Sequence, residues 1–207
     1  MRLASMLLKA GLLVPVFYYG VLIVGGLMWP GYNHITQYAS ELGSAAAPKP
    51  EIFNYGIIAT GVSALIGALG MFLAMRRLGS GLIMPALTAV AIGLWGASMI
   101  MGGLHPMPDP LHNGYQMGLA ILAAPLLMFL ALADRGDMSG LKSFLILTLL
   151  AMAALFAVMM NIGELNLVKQ SNVGLWQRAY SLASIPWIGI AALCLDQRLV
   201  AKIKKSR

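Results

Sequence analysis

Six long apolar segments recur along the chain, and they constrain its fold more than any other feature. Each segment is long enough to cross about 30 Å of hydrocarbon as an α-helix, which takes roughly 20 residues. Only 10% of the residues are charged, whereas a soluble globular domain carries about 25%. The sequence therefore predicts an all-α membrane protein, a six-transmembrane-helix bundle that forms one domain over residues 1–207. The predicted spans lie near Leu8–Trp29, Ile52–Met75, Leu82–Leu104, Tyr115–Ala133, Ser143–Ile162 and Ala179–Leu199.

Cationic side chains divide unequally between the two ends of this predicted bundle. Of the 14 Lys and Arg residues, only Lys49, Lys169 and Arg178 lie in the first, third and fifth connectors. The others lie at the termini and in the two remaining connectors. Because cytoplasmic loops retain the positive charge, we expect both termini in the cytoplasm and a multi-pass protein of the cell (inner) membrane. This topology accounts for the net charge of +7, so we expect membrane lipids as partners and no nucleic acid.

Small residues and prolines inside the spans predict how the helices pack. Residues at four-residue spacing share one helix face, and small side chains there let two backbones approach closely. The second and third spans each carry such a face, formed by Ala59, Ser63 and Gly67 and by Ala89, Gly93 and Ala97. Prolines within spans predict kinks, because each removes one backbone hydrogen bond. They are Pro15, Pro85, Pro125 and Pro186.

The first outward connector contains the polar stretch QYASELGSAAAPKPEIF, which begins at Gln37. Residues 40–43 predict a short turn whose Glu41 side chain points into the mouth of the bundle. Desolvation would raise the pKa of this carboxyl unless a cation paired with it, and Arg178, Lys169 or a histidine are the candidates. Ser40 is a weaker candidate nucleophile, because no elbow motif surrounds it.

A second polar segment, GGLHPMPDPLHNGY, joins the third and fourth spans. It places His105, Asp109 and His112 within eight residues of one another. Histidine and carboxylate are the residues of an acid–base pair or of a zinc site. The spacing matches no standard zinc signature, and a rigid polar turn at the headgroup level is the structural alternative. The metal therefore remains unknown, with zinc as the one cofactor candidate.

The third polar segment, GLWQR, opens the last span with Gln177 and Arg178. An arginine at the outer edge runs against the charge asymmetry. It either reaches lipid headgroups along the membrane surface or pairs with a phosphate, Glu41 or Glu164. We expect the charged groups of all three segments to converge in one outward pocket.

The three segments together resemble the prokaryotic membrane family named domain of unknown function 998. That family carries an Ile-Ser-Glu-Leu-Gly motif, then Gly-x-Phe-Pro followed by a histidine, then Gly-x-x-x-Arg. Ala39 stands here in place of the isoleucine and His105 in place of the phenylalanine, while His112 matches the family histidine. The resemblance covers essentially the whole chain and implies six spans. The first motif is more distantly similar to the FGF-receptor-activating protein and autophagy modulator group, one branch of which remodels GPI-anchor lipid.

Two functions remain open at this point, and the sequence does not decide whether the protein is an enzyme. The first is a hydrolase or transferase that acts on lipid or lipid-linked headgroups. Its candidate catalytic residues are Glu41, Asp109 and His112, and its candidate substrate-binding residues are Ser40, His105, Gln177 and Arg178. The alternative is a non-catalytic lipid-binding or scaffold protein. Transport is disfavoured, because the spans carry almost no charge at mid-depth.

Overall fold

The computed structural model describes residues 2–205, without the side chains of residues 113–115 and 205. Arg207 and the Lys205 side chain, both part of the charge count above, lie outside the described residues. Every regular element in the described part is helical, which confirms the predicted fold class. The α-helices are α1 (Arg2–Met28), α2 (Pro50–Leu78), α3 (Ile83–Leu104), α4 (Ala124–Ala131), α5 (Ser139–Met159), α6 (Val173–Ser184) and α7 (Pro186–Lys205). Three 3₁₀ segments connect them, Ala39–Gly43, Pro110–Leu122 and Gly136–Met138.

Six helical segments in the described residues are long and apolar enough to cross a membrane, as predicted. Three of them are the single helices α1, α2 and α3, and a fourth is α5 together with the 3₁₀ turn before it. The other two are composite. The fourth span, Pro110–Ala131, is a 3₁₀ segment followed by α4, and the sixth, Val173–Lys204, comprises α6 and most of α7. The orientation of the termini stays a prediction.

Local sequence features shape the sixth and fourth spans. Pro186 has no N–H to continue the helical ladder, so α6 ends at Ser184 and α7 begins at Pro186. In the fourth span, the 3₁₀ segment lies so close to α3 that a Cβ on Gly118 would come within 2.7 Å of Ser98 Oγ. Pro15, by contrast, lies inside α1 without interrupting it.

Close helix crossings hold the centre of the bundle together. A Cβ on Gly67 of α2 would lie 2.8 Å from Gly11 Cα of α1, so the two backbones are in contact there. The backbones of α2 and α3 also approach closely at Gly61 and Gly96, where a Cβ on Gly96 would lie 2.8 Å from Gly61 O. The small-residue prediction is therefore right for Gly67. On α3 the backbone contact is at Gly96 rather than at the predicted Gly93, where a Cβ would meet only the end of the Leu65 side chain.

The connectors gather at two opposite ends of the bundle. We call residues 29–49, 105–112 and 172–178 the polar cap. We call residues 76–84, 131–142 and 198–204 the basic end. The helices α2 and α3 run from one end to the other, so whatever binds at one end is separated from the other end by the length of the bundle.

We expect Gly67→Ala to lower the stability of the bundle by about 1–3 kcal/mol, because the added methyl group overlaps the α1 backbone. Gly93→Ala is the matched control, since a Cβ there has ordinary contact with one flexible side chain at 3.6 Å. Thermal unfolding of both variants in detergent measures the difference. A Gly67→Ala protein that melts with the Gly93→Ala protein would contradict the close crossing.

Candidate functional site

The three polar segments meet in the polar cap. The backbone N–H of Ala39 donates to Gln177 Oε1 at 2.6 Å, which joins the first segment to α6. The hydroxyl of Ser40 donates to Met107 Sδ at 3.2 Å, which joins the first segment to the loop after α3. The segments are thus in contact as expected, and their charged side chains form the separate groups described below.

His105 and Asp109 form a hydrogen-bonded pair on the loop after α3. His105 Nδ1 lies 3.0 Å from Asp109 Oδ2, and the two side chains are 29% and 37% exposed. The other carboxylate oxygen, Oδ1, accepts the Leu111 N–H at 2.8 Å and begins the 3₁₀ segment. The Leu111 N–H and, next, the His105 hydrogen bond lower the pKa of Asp109. Asp109 is therefore a carboxylate that orients a partly exposed imidazole.

The acceptors around the two imidazoles fix their tautomers. A carboxylate and a carbonyl oxygen accept hydrogen bonds and cannot donate them, so the proton lies on the nitrogen that faces each of them. His112 Nδ1 lies 2.8 Å from the carbonyl oxygen of His105. Both histidines therefore carry the proton on Nδ1, and each neutral ring has its lone pair on Nε2. Nε2 is the nitrogen with which either ring can accept a proton.

The same geometry bears on the zinc candidate. Asp109 is bound to His105, and His112 directs Nδ1 to a backbone carbonyl rather than to the other two side chains. Among the residues that the structure describes, no group of three or more His, Cys, Asp or Glu side chains is placed to hold a metal ion. Zinc at His105, Asp109 and His112 stays a prediction.

Glu41 closes the 3₁₀ turn in the first polar segment. Its Oε1 accepts the Tyr38 N–H at 2.7 Å, and its Oε2 accepts Gln37 Nε2 at 3.0 Å. None of the ion pairs in the described part of the chain includes Glu41, so the expected cationic partner is absent there. Two neutral donors, the Tyr38 N–H and the Gln37 side-chain amide, bind the carboxylate instead of a cation.

The glycine that follows Glu41 has a packing reason. A Cβ on Gly43 would collide with Asn54 Oδ1, and the Asn54 side-chain amide donates to Gly43 O at 2.9 Å. Any larger residue would displace the Asn54 side chain, and with it the hydrogen bond to Gly43 O, or push the turn away from α2. The Ser-Glu-Leu-Gly sequence therefore builds a turn that is hydrogen-bonded within itself and docked on α2.

Arg178 fastens α6 to the connector after α1. One terminal nitrogen, Nη1, donates to Gln37 O and to Gly174 O, both at 2.9 Å. The other, Nη2, donates to the hydroxyl of Tyr32 at 2.5 Å, and Nε donates to His34 Nδ1 at 3.2 Å. Neither Glu41 nor Glu164, its two candidate protein partners, is among these acceptors. Its role as a substrate-binding residue stays a prediction.

The sequence reasoning missed Tyr32, His34 and Gln37 as residues of this site. Burial raises the pKa of Tyr32, so its hydroxyl stays protonated and donates to Tyr38 O at 2.8 Å. Burial and the neighbouring Arg178 charge lower the pKa of His34 below 6.5. The available signal was the run WPGYNHITQY, in which aromatic and polar residues directly precede the Ser-Glu-Leu-Gly turn.

Fold and site together define the class of this protein, a six-span helical membrane protein with a hydrogen-bonded polar cap at one end. The family model described as protein of unknown function (DUF998) matches residues 12–194. The chain belongs to this family, and the resemblance seen in the three motifs is confirmed. No curated protein and no solved structure matches the chain.

We expect the contact between α6 and the connector after α1 to weaken in acid. The folded-state pKa of His34 is lowered, so the stability from its neutral form is complete above the ordinary value of 6.5. It is lost as the pH falls through the lowered pKa, since a protonated ring cannot accept the Arg178 Nε–H. Hydrogen exchange of residues 29–38, followed from neutral to acidic pH and corrected for the intrinsic rate, measures this loss.

The matched control for the acid effect is His34→Gln, whose side-chain oxygen can accept from Arg178 and does not titrate. Corrected exchange in this variant should show a smaller dependence on pH. Equal pH dependence in the two proteins would mean that another group causes the change.

Proposed function

We propose that the protein is a hydrolase or transferase that acts on lipid or lipid-linked headgroups at the polar cap, with His105 as general base. The observation that carries this proposal is the 3.0 Å hydrogen bond between His105 Nδ1 and Asp109 Oδ2. It holds the imidazole in one tautomer with Nε2 available as a base. Such a pair, partly exposed at the end of a membrane helix, suits proton transfer at an interface.

The proposed step needs only groups that this pair supplies. A water molecule attacks the ester carbon or phosphorus while His105 Nε2 takes its proton. The carboxylate of Asp109 stabilises the imidazolium that forms. The ester bond then breaks, and the imidazolium returns the proton to the departing oxygen. In a transferase, the hydroxyl group of an acceptor takes the place of the water.

The surroundings of the pair favour a lipid as the substrate. Leu104 is 58% exposed and Leu111 is 55% exposed, and they lie directly before His105 and two residues after Asp109. Exposed leucines beside a partly exposed carboxylate suit the boundary between hydrocarbon and headgroups. A lipid ester would reach Nε2 from the side while its chains remain in the membrane.

The remaining candidates divide into two roles in this proposal. In this proposal the hydroxyl of Ser40, which is bonded to Met107 of the same loop, and the ring of His112, which is bonded to His105 O, contact the headgroup. Glu41, Gln177 and Arg178 act through the connector that they hold in place, because most of their hydrogen bonds go to its backbone and side chains. They are therefore positioning residues here rather than catalytic ones.

A non-catalytic lipid-binding protein is the second candidate. The observation that favours it is that the charged or amide side chains of two family motifs, Glu41, Gln177 and Arg178, bond to the chain itself. A cap stabilised in this way can hold a headgroup without any chemistry. The two candidates differ in whether a bound lipid changes with time.

We expect the purified protein, placed in vesicles of total polar lipid from a bacterial inner membrane, to release a headgroup or acyl product that mass spectrometry detects. Asp109→Asn should lower the rate by about a hundredfold or more, because it removes the charge that stabilises the imidazolium. The asparagine oxygen still accepts the Leu111 N–H, so the 3₁₀ segment should remain. His105→Gln should be equally inactive.

Glu51→Gln is the matched control, since Glu51 is an exposed carboxylate at the same end of the bundle and outside the site. Its rate should equal that of the unmodified protein. Product release that continues unchanged in His105→Gln would contradict the assigned base. A lipid that remains bound and chemically intact in every sample would favour the non-catalytic candidate.

A further inference from the structure

Exposed apolar side chains cluster in the connector between α5 and α6. We call residues 160–171 the α5–α6 loop. It belongs to neither the polar cap nor the basic end, and every residue from 160 to 167 is exposed. Four large apolar side chains in it are between 45% and 59% exposed, namely Met160, Ile162, Leu165 and Leu167. Such a cluster marks a surface that another molecule covers.

The polar groups of the α5–α6 loop bond to one another. Asn161 Oδ1 accepts the Asn166 N–H at 2.8 Å, and the Asn161 side-chain amide donates to Asn166 Oδ1 at 3.1 Å. The Asn166 amide donates to Glu164 O at 2.9 Å, and the Ile162 N–H donates to Ala157 O at 2.9 Å. Paired polar groups cost less free energy to remove from water than free ones. The loop is therefore suited to leave bulk water despite its irregular backbone.

The length of α5 places the start of the loop beside α6. The ring centroids of Phe156 in α5 and Tyr180 in α6 are 6.5 Å apart, so these residues lie at a similar level. At about 1.5 Å per residue, α5 continues only about 4.5 Å beyond Phe156 to Met159, whereas α6 extends about 10 Å beyond Tyr180 to Val173. The helix α5 therefore ends about one helical turn deeper in the bundle than α6 begins.

The surface around the loop is already lipid-facing. Both helices that it joins belong to membrane-spanning segments and have exposed leucines, Leu147 and Leu150 in α5 and Leu175 and Leu182 in α6. Trp176, in the first turns of α6, is of the residue type that is enriched where hydrocarbon meets headgroups. The apolar side chains of the loop thus continue a lipid-facing surface at the depth of the membrane interface.

We propose that the α5–α6 loop inserts its four apolar side chains into the membrane leaflet on the side of the polar cap. Glu164 and Lys169, the two charged residues of the loop, are exposed and stay among the headgroups, where the long lysine side chain reaches lipid phosphate. Insertion covers the apolar cluster and fixes the height of the two helix ends in the membrane. The contact uses neither residue of the His105–Asp109 pair, so either proposal can fail without the other.

Site-specific fluorescence in the full-length protein tests the depth of the loop. The chain has one cysteine, Cys194, so Cys194→Ser gives a background in which Ile162→Cys or Leu165→Cys carries a single nitrobenzoxadiazole label. The proteins are reconstituted in vesicles of phosphatidylcholine and phosphatidylglycerol. We expect both labels to be quenched by lipids with a doxyl group near the glycerol end of an acyl chain and to resist aqueous iodide. Adding Asp109→Asn, which disables the proposed enzyme, should leave these signals unchanged.

Ser171→Cys in the same background is the matched control. Ser171 is an exposed residue of the same loop and lies between two amide residues, Gln170 and Asn172, so its label should be quenched by iodide and not by the doxyl lipid. Equal iodide quenching at positions 162, 165 and 171 would overturn the proposal, because the loop would then lie in water. Resistance to both quenchers at 162 and 165 would also overturn it, because protein would then cover the loop. Loss of that resistance on dilution into excess lipid would identify the cover as a second copy of the chain.

Discussion

Every backbone N–H and C=O group in hydrocarbon must find its partner within the chain, and the architecture of this protein depends on that requirement. Within the spans, the helical ladder supplies the partners. At the helix ends it cannot, because the first turn lacks acceptors and the last turn lacks donors. Most side chains that form hydrogen bonds in this chain therefore lie where helices end, and most of those hydrogen bonds go to the backbone. Arg178 at Gln37 O and Gly174 O, and Lys202 at Arg77 O, are examples from the two ends.

The fold was predictable to the extent that it follows from apolar length. Six runs of sufficient length gave six spans, and the all-helical class followed from them. Apolar length did not predict the local geometry within a span. Pro186 was expected to kink the sixth span and instead separates two helices. The α2–α3 contact formed at Gly96 rather than at Gly93, because spacing along one helix does not fix which face meets a neighbour.

The candidate site was predictable only where its partners are close in sequence. His105 and Asp109 are four residues apart, so their pairing required no knowledge of the fold. Three partners of Arg178, namely Tyr32, His34 and Gln37, lie about 140 residues away, and no rule of spacing connects them to it. An argument from charge predicted Glu41 or Glu164 as the protein partner of Arg178. In the structure Arg178 donates instead to a tyrosine, a histidine and two carbonyl groups. Most of these neutral acceptors belong to the long connector that folds over the helix ends.

One helix relates the two ends of the molecule. The N-terminus of α3 lies at the basic end, and its C-terminus leads directly into His105, whose N–H bonds to Met101 O at 2.9 Å. The dipole of α3 is therefore negative where an imidazolium is proposed to form. This stabilisation follows from the direction of a single helix and requires no additional charged residue inside the membrane. Because the dipole acts mainly within the terminal turns, a change at the basic end leaves the electrostatics of His105 undisturbed.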